Sequence, residues 1–268
     1  MLKKTFKPDH NDNRMKNEGD LINTRNIFLK NPSINLQFLL KNRYEWMNDF
    51  INETDEGLEV GCGIGVSKFY IKKASLFLLT DFNKMEWLDV KDVDAMNTPF
   101  PDKAFNFVVS CNMLHHLAYP LKFFREMHRI LKDDGVILIQ EINASLLCRF
   151  LLRIMRHEGY SYAVDVFDEN CECSPIDDYW AGNNAIPNLL FDDRSKFEKN
   201  VPEFKIIKYS FSELFNFVNS GGVTAKTAYI SLPIFLLKFL KILDDLIAER
   251  FPLTFALQRQ VVLKKVRD

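Results

Sequence analysis

Short apolar runs alternate with longer amphipathic stretches through the middle of the chain. The runs that predict strands are residues 57–60, 76–80, 88–93, 105–110 and 136–142, and the stretches at helical spacing between them are residues 66–73 and 120–131. Strands that alternate with helices are typical of a parallel, doubly wound sheet. We therefore predict an α/β fold with a mostly parallel, Rossmann-like sheet of seven strands and helical cap insertions.

The pattern is less regular on either side of this block. Apolar spacing predicts a helix over residues 33–51, after about 20 polar residues that we expect to be loosely attached. Two further strands are predicted at residues 204–209 and 260–266, and the second would close the sheet at the C-terminus. The predicted units are a tail and cap helix (1–52), a ligand-binding core (53–143), a cap insertion (144–202) and a C-terminal segment with inserted apolar helices (203–268).

Composition narrows the class of protein. The net charge of -1, with no long basic run, argues against nucleic acid as a partner. Five cysteines, an odd number, favour reduced thiols and a cytoplasmic location, and the spacing of Cys171 and Cys173 is too tight for a zinc corner, so no metal is predicted. Proline, lysine and aspartate interrupt the apolar stretch at residues 229–247, which therefore does not span a bilayer.

A glycine-rich turn, GCGIG at residues 61–65, follows the first predicted strand. Glycine allows a ligand to approach the backbone closely, and both nicotinamide dinucleotides and S-adenosylmethionine use such a turn. A dinucleotide site requires glycine at the sixth position, where this chain has Val66. Asp81, at the end of the second strand, suits the ribose hydroxyls of either cofactor. Glu59 suits the cationic methionine end of S-adenosylmethionine and would repel the pyrophosphate of a dinucleotide. A nicotinamide-dependent oxidoreductase is therefore disfavoured.

Four segments in order carry a family resemblance. They are LEVGCGIG (58–65), LTDFN (79–83), DAMNTPFPDKAFNFVVSCNMLHHL (94–117) and REMHRILKDDGVILIQE (125–141). The series resembles class I S-adenosylmethionine-dependent methyltransferases with a UbiE-like (methyltransferase type 11) core. One departure is Asn106, where that family usually has aspartate, at a position that tends to be structural.

The resemblance implies S-adenosylmethionine as cofactor and assigns its contacts. By analogy, the methionine end would be lined by Glu59, Gly61, Cys62, Gly63 and Gly65, the ribose hydroxyls would bind Asp81, the adenine would lie against Phe82, Asp94 and Ala95, and Asn112 would form the far wall.

Methyl transfer is an in-line displacement, so a general base is needed only if the acceptor must lose a proton. The candidates are His116, His115 and Glu141, which follow the fourth and fifth strands. The alternative for the histidine pair is that an imidazole caps or packs the loop, and Glu141 could instead contact the cap or a substrate hydroxyl.

Two additions to the core bear on the methyl acceptor. YWAGNNAIP (179–187) offers aromatic faces and amides of the kind that bind sugars, in Tyr179, Trp180, Asn183 and Asn184, or it forms a buried tryptophan and a turn. The apolar residues 231–247 pack on the sheet or, less favoured, contact a membrane surface near a lipid-linked acceptor.

WAGNNAIP and the C-terminal helix and strand resemble methyltransferases of bacterial surface-polysaccharide pathways. That resemblance implies O-methylation of a sugar hydroxyl on a glycan or glycolipid intermediate. Two alternatives stay open: a small-molecule or quinone-type C- or N-methyltransferase, and a non-catalytic binding protein that retains the fold.

Overall fold

The computed structural model describes residues 4–8, 20–156, 158–178, 181–224 and 226–267. Its strands are β1 (Thr5–Phe6), β2 (Glu56–Val60), β3 (Leu76–Asp81), β4 (Val90–Lys91), β5 (Phe105–Cys111), β6 (Leu131–Ile142), β7 (Tyr160–Ser161), β8 (Phe204–Ser212) and β9 (Gln258–Lys265). Its α-helices are α1 (Leu21–Lys30), α2 (Ile34–Tyr44), α3 (Pro120–Ile130), α4 (Leu146–Met155), α5 (Ile186–Phe191), α6 (Arg194–Asn200), α7 (Phe215–Val218) and α8 (Ile234–Arg250).

Seven of the strands form one sheet in the order β4-β3-β2-β5-β6-β9-β8. The pairs from β4 to β6 are parallel, and β9 runs antiparallel to both of its neighbours. The prediction of a mostly parallel, seven-stranded α/β sheet is confirmed. The carboxyl ends of β2, β3 and β5 therefore lie side by side at one edge of the sheet, where ligands bind in folds of this type.

Alternate residues of the central strand β5 enter two separate hydrophobic cores. Val108 packs into a core with α3, α5 and α6, whereas Phe107 and Val109 pack into a core with α1 and α2. A strand buried on both faces is expected to be mostly apolar, and here only Asn106 and Ser110 are polar. The packing explains why the strand at residues 105–110 could be predicted from its apolar residues.

The predicted helix at residues 66–73 is wrong. The chain makes one 3-10 turn, Ser67–Phe69, and then continues without regular structure. Asn48 donates to the carbonyl of Tyr70 (2.9 Å) and accepts from the amide of Lys72 (3.0 Å). These backbone groups bond to a distant side chain instead of to the next helical turn.

The C-terminal strand does not close the sheet at its edge. β9 lies between β6 and β8, and its residues Val261, Val262 and Leu263 are fully buried. An apolar run of this kind is stabilised by an interior position, whereas β8 carries partly exposed side chains along most of its length and forms the edge. The N-terminal tail is not wholly detached either, because β1 pairs with β7 in the cap.

Asn106 has a structural role in this fold. Its Oδ1 accepts hydrogen bonds from the amide of Glu56 and from Nζ of Lys132, each at 3.0 Å. It thereby joins the first residues of β2, β5 and β6, at the end of the sheet opposite the carboxyl ends of these parallel strands.

The outer face of α8 is apolar. Phe235, Phe239, Ile242 and Leu246 recur at helical spacing and are exposed, while Leu237, Asp244 and Ala248 on the opposite face are buried. Among the described residues, no helix combines the length and apolar composition needed to cross a membrane.

Candidate functional site

The glycine loop, residues 61–65, is held in a conformation that side chains disfavour. Gly61, Gly63 and Gly65 have φ values of +65°, +52° and +63°. A Cβ on Gly61 would lie 2.3 Å from Cγ of Met113, so that glycine is required for packing. A Cβ on Gly63 would meet no atom within 4 Å. The backbone of Gly63 therefore borders open space that a ligand could enter.

Asp81 connects the glycine loop to the end of β3. The carboxylate is buried, and it accepts hydrogen bonds from the amide of Gly63 and from the amide and side chain of Asn83, each at 2.9 Å. Because each carboxylate oxygen has two acceptor positions, these bonds leave capacity for a ligand hydroxyl. Asp81 ends β3, as the sequence predicted, and its contact with a ribose stays a prediction.

Glu59 lies beneath the loop and is fully buried at the end of β2. Ser67 donates a hydrogen bond to its Oε2, and its Oε1 has no hydrogen-bond partner among the described residues. Burial raises the pKa of Glu59 to about 8; the nearby carboxylate of Asp81 acts in the same direction, while hydrogen bonds from Ser67 and Tyr44 oppose it. A buried carboxylate oxygen without a partner is costly, and a cationic group bound nearby would satisfy it. The residues present thus fit the cationic methionine end of S-adenosylmethionine.

The predicted adenine side is open. Phe82 is 58% exposed directly after β3, and Oδ1 of Asp94 accepts a hydrogen bond from the amide of Met96 (2.8 Å) in a tight turn. Ala95 packs against the core below this turn. An exposed aromatic ring beside a carboxylate and an apolar wall suits a planar base.

Asn112 stands at the carboxyl end of β5 with a φ of +50°. Its backbone amide donates to the carbonyl of Gln140 (2.8 Å), and its side-chain Oδ1 accepts from Nε2 of Gln258 (2.9 Å). Asn112 therefore connects β5 to β6 and β9 at the predicted far wall.

Cys62 carries a buried side chain in the glycine loop. Burial raises the pKa of its thiol well above the ordinary value.

Two residues of the site were missed at the sequence level. Trp87 donates from Nε1 to the carbonyl of Gly63 (3.0 Å), and the guanidinium of Arg25 donates to the carbonyls of Ile64 and Gly65 while lying over the Trp87 ring. Arg25 comes from α1, which no sequence pattern indicated. Together they contact the glycine loop through its carbonyl groups, whereas Asp81 contacts it through the amide of Gly63.

The second polar group, here called the His–Glu cluster, consists of His115, His116, Glu141 and Glu158. Nδ1 of His115 lies 2.7 Å from Oε1 of Glu141, and its Nε2 lies 3.3 Å from Oε2 of Glu158. Burial lowers the pKa of His115, but the two carboxylates outweigh burial and raise it to about 10. The imidazole therefore keeps its proton at neutral pH and is poorly suited to accept another.

Glu141 is occupied by local contacts. In addition to His115, its carboxylate accepts hydrogen bonds from the amides of Leu114 (2.8 Å) and Ile142 (2.7 Å), and it is fully buried. His116 is 22% exposed and its Nε2 lies 3.7 Å from Oε1 of Glu158. Among the three predicted catalytic residues, His116 has the exposure that a general base needs, and its role stays a prediction.

The asparagine pair of the cap lies inside the protein. Asn183 accepts from the amides of Ser161 and Ala185 and donates to the carbonyls of Ser161 and Cys173, so its amide has no remaining donor. Asn184 donates to Oε2 of Glu158 (2.9 Å). These contacts match the structural alternative for the two amides. Tyr179 and Trp180 lie outside the described residues.

A cavity of about 140 Å³ adjoins the cap. Its lining combines aromatic, hydroxyl and charged side chains with glycine, among them Phe6, Lys7, Tyr160, Ser174 and Gly182. A Cβ on Gly182 would lie 2.6 Å from Cδ2 of His115 and 3.0 Å from Cε1 of His116. One wall of the cavity is therefore the backbone that packs directly on the histidine pair.

Comparison with known proteins agrees with the fold. Residues 58–139 match the family model described as a methyltransferase domain. The structure is similar to a SAM-dependent methyltransferase from Archaeoglobus fulgidus, with a TM-score of 0.50 and 16% identity over 85% of this chain and 93% of that one.

Two curated relatives match part of the chain. An uncharacterized protein of Methanocaldococcus jannaschii is 28% identical over 41% of this chain and 49% of its own length. Ajmaline N-methyltransferase of Rauvolfia serpentina is 34% identical over 31% of this chain and 34% of its own length. The chain thus spans about half, or less, of the length of the curated relatives that it matches.

Proposed function

We propose that this protein is an S-adenosylmethionine-dependent methyltransferase. The observation that carries the proposal is the glycine loop: a backbone open at Gly63, above a buried Glu59 with an unsatisfied oxygen, and beside Asp81 at the next strand end. The match of residues 58–139 to a methyltransferase domain supports it. Val66, in place of the third glycine of a dinucleotide site, disfavours a nicotinamide dinucleotide at the same loop.

Each residue of the loop region has a distinct task in this proposal. When bound, S-adenosylmethionine supplies an electrophilic methyl group on a sulfonium. Glu59 binds the cationic end of the methionine moiety, Asp81 accepts hydrogen bonds from the ribose hydroxyls, and Phe82 and Ala95 border the adenine. Glycine at position 63 lets the backbone approach the ligand. The protein's main contribution is alignment, because displacement at a methyl group needs an in-line approach.

The acceptor in this proposal is a hydroxyl of a sugar, carried by a glycan or glycolipid intermediate. The cavity beside the cap supports it, since aromatic rings and hydroxyl and charged groups are the mixture that binds sugar rings. A hydroxyl acceptor must lose a proton, and His116, beside the wall at Gly182, would accept it. An amine acceptor would make His116 dispensable, which separates the N-methyltransferase alternative.

One experiment tests cofactor, activity and acceptor class together. Purified protein is incubated with methyl-labelled cofactor and fractionated cell extract, and label is sought in the polysaccharide, lipid and small-molecule pools. We expect label in glycan or glycolipid, lost in Asp81→Ala and retained in Glu53→Ala, which removes an exposed carboxylate away from the loop. Label in a small amine or quinone would overturn the sugar acceptor, and methylation that persists in Asp81→Ala would overturn the site.

A lipid-linked acceptor would place the protein in the cytoplasm at a membrane surface, and the outer face of α8 supports this. Phe235 and Phe239 are 65% and 55% exposed, and the exposed cations Lys238 and Arg250 flank the face. We expect sedimentation with vesicles of phosphatidylcholine and phosphatidylglycerol, strongly reduced in Phe239→Glu but not in Phe69→Glu, an exposed aromatic elsewhere. Equal sedimentation of both variants with the wild type would exclude this face.

A further inference from the structure

The His–Glu cluster lies where the core meets the cap. His115 and His116 follow β5 in the core, whereas Glu158 belongs to the cap, two residues before β7. We infer that His115, His116 and Glu158 form a binding site for a divalent transition-metal ion of the zinc type. The inference is independent of the cofactor, but it competes with the proposed general base, because Nε2 of His116 cannot both bind an ion and accept the proton of a hydroxyl acceptor.

The distances between the three side chains suit one ion. Nε2 of His115 lies 3.3 Å from Oε2 of Glu158, Nε2 of His116 lies 3.7 Å from Oε1, and one ligand atom from each residue falls within 4.8 Å of the others. Ligand atoms at about 2.0–2.1 Å around tetrahedral zinc are roughly 3.3 Å apart. The two histidine–glutamate distances are within a few tenths of an ångström of this spacing, and the widest separation that the cluster allows, 4.8 Å, requires the side chains to move together by up to about 1.5 Å to share an ion.

Contacts outside the three ligands hold the rings in the required orientation. Glu141 bonds Nδ1 of His115, which directs Nε2 of that ring toward Glu158. This carboxylate–histidine pairing is the usual outer contact of a metal-bound imidazole. Asn184 fixes Glu158 by a 2.9 Å hydrogen bond, and Gly182 packs against both imidazoles, whose centroids are 4.1 Å apart. The site is thus built by the core and the cap together.

Charge favours a cation in this position. Glu141 and Glu158 are both buried, and both contact the imidazole of His115, while Glu158 also lies beside His116. A divalent ion would displace the proton on Nε2 and offset both carboxylates in a place where buried charge is costly without compensation. Two imidazoles and one carboxylate favour zinc or iron(II) over magnesium or calcium, which prefer oxygen ligands.

The test uses the full chain without an affinity tag. After dialysis against a chelator and its removal, Zn²⁺ is titrated by calorimetry and Co²⁺ by visible absorption. We expect one ion per chain and, with Co²⁺, the intense absorption of a tetrahedral site. The proposal is overturned if the wild type binds no more Zn²⁺ than Glu158→Gln does, or if Co²⁺ gives only the weak spectrum of its hydrated ion.

Three variants separate ligation from loss of folding. His116→Gln, at a partly exposed position, should abolish the tetrahedral Co²⁺ spectrum, and Glu141→Gln should weaken Zn²⁺ binding about 10- to 100-fold. His128→Gln is the matched control, because His128 packs on Phe204 away from the cluster and should bind as the wild type does. Loss of Zn²⁺ binding in His128→Gln would contradict the site.

The metal site can be refuted without refuting the methyltransferase proposal, and the reverse is also true. Calorimetry with S-adenosylhomocysteine on the chelator-treated protein measures the glycine loop alone. Binding of that ligand without any Zn²⁺ binding would overturn the metal site and leave the cofactor site intact.

Discussion

The glycine loop and the His–Glu cluster are two polar groups of the same protein with opposite construction. The loop borders open space at Gly63 and leaves an oxygen of Glu59 without a partner, whereas in the cluster Glu141 is saturated by His115 and two backbone amides. The loop follows β2 within the core and is contacted by Asp81 at the end of β3, while the cluster joins the core to the cap. The contrast teaches that the open oxygen of Glu59 marks a place for the cofactor, whereas the saturated carboxylate of Glu141 holds His115 in position between the core and the cap.

The largest expected effect is on stability at the cluster. Glu141→Gln leaves the protonated His115 with one carboxylate and removes a buried charge partner, so we expect the free energy of unfolding to fall by roughly 3 kcal/mol. Urea denaturation of the metal-free protein measures it. Asp133→Asn, in an exposed pair with Lys103, is the control and should leave the midpoint unchanged.

That variant also distinguishes the two regions. Glu141→Gln should bind S-adenosylhomocysteine within a few-fold of the wild type, since the glycine loop does not depend on the cluster. If Glu141→Gln lost the ligand while remaining folded, the two regions would be one functional unit and the comparison would fail.

The next effect is on cofactor binding at the loop. Gly63→Ala places a methyl group in the open space, and we expect affinity for S-adenosylhomocysteine to drop roughly 10- to 100-fold, equivalent to an overpacking cost of 1–3 kcal/mol. Gly61→Ala should also lower stability, because its methyl group would meet Met113. Gly222→Ala is the control for the positive φ alone and should bind normally. Equal affinity of Gly63→Ala and the wild type would mean that no ligand approaches this backbone.

The smallest expected effect is the pH dependence of cofactor binding that arises from Glu59. Its pKa of about 8 lies above the unfolded value of 4.5, so the stability that its neutral form contributes is present below pH 4.5 and is lost as the pH rises through 8. A cationic ligand favours the ionised form, so S-adenosylmethionine should bind with release of up to one proton, and its affinity should rise up to about tenfold per pH unit toward pH 8.

Calorimetry in buffers of different ionisation enthalpy counts those protons. Glu59→Gln should release none from this position, while Glu53→Gln, at an exposed site, should behave as the wild type does. Equal proton release in the wild type and Glu59→Gln would assign the titration to another group.

The sequence by itself determined the sheet and the position of the glycine loop at its edge, because both depend on local spacing. The apolar runs gave the strands, and Gly61, Asp81 and Asp94 follow successive strands, whose parallel order brings their ends to one edge. A sequence pattern of this kind predicts the position of each residue, because that position depends only on the strand that the residue ends or follows.

Only the tertiary structure decided the rest. Asn48 bonds the backbone groups that the predicted helix after the loop would have used. Arg25 contacts the loop from α1, and Glu158 contacts His115 although 43 positions separate them in the sequence. Burial converts Asn183 from a candidate sugar ligand into a cap contact. The physical reason is that satisfaction of a polar group depends on partners brought by packing, and a single chain's spacing does not specify those partners.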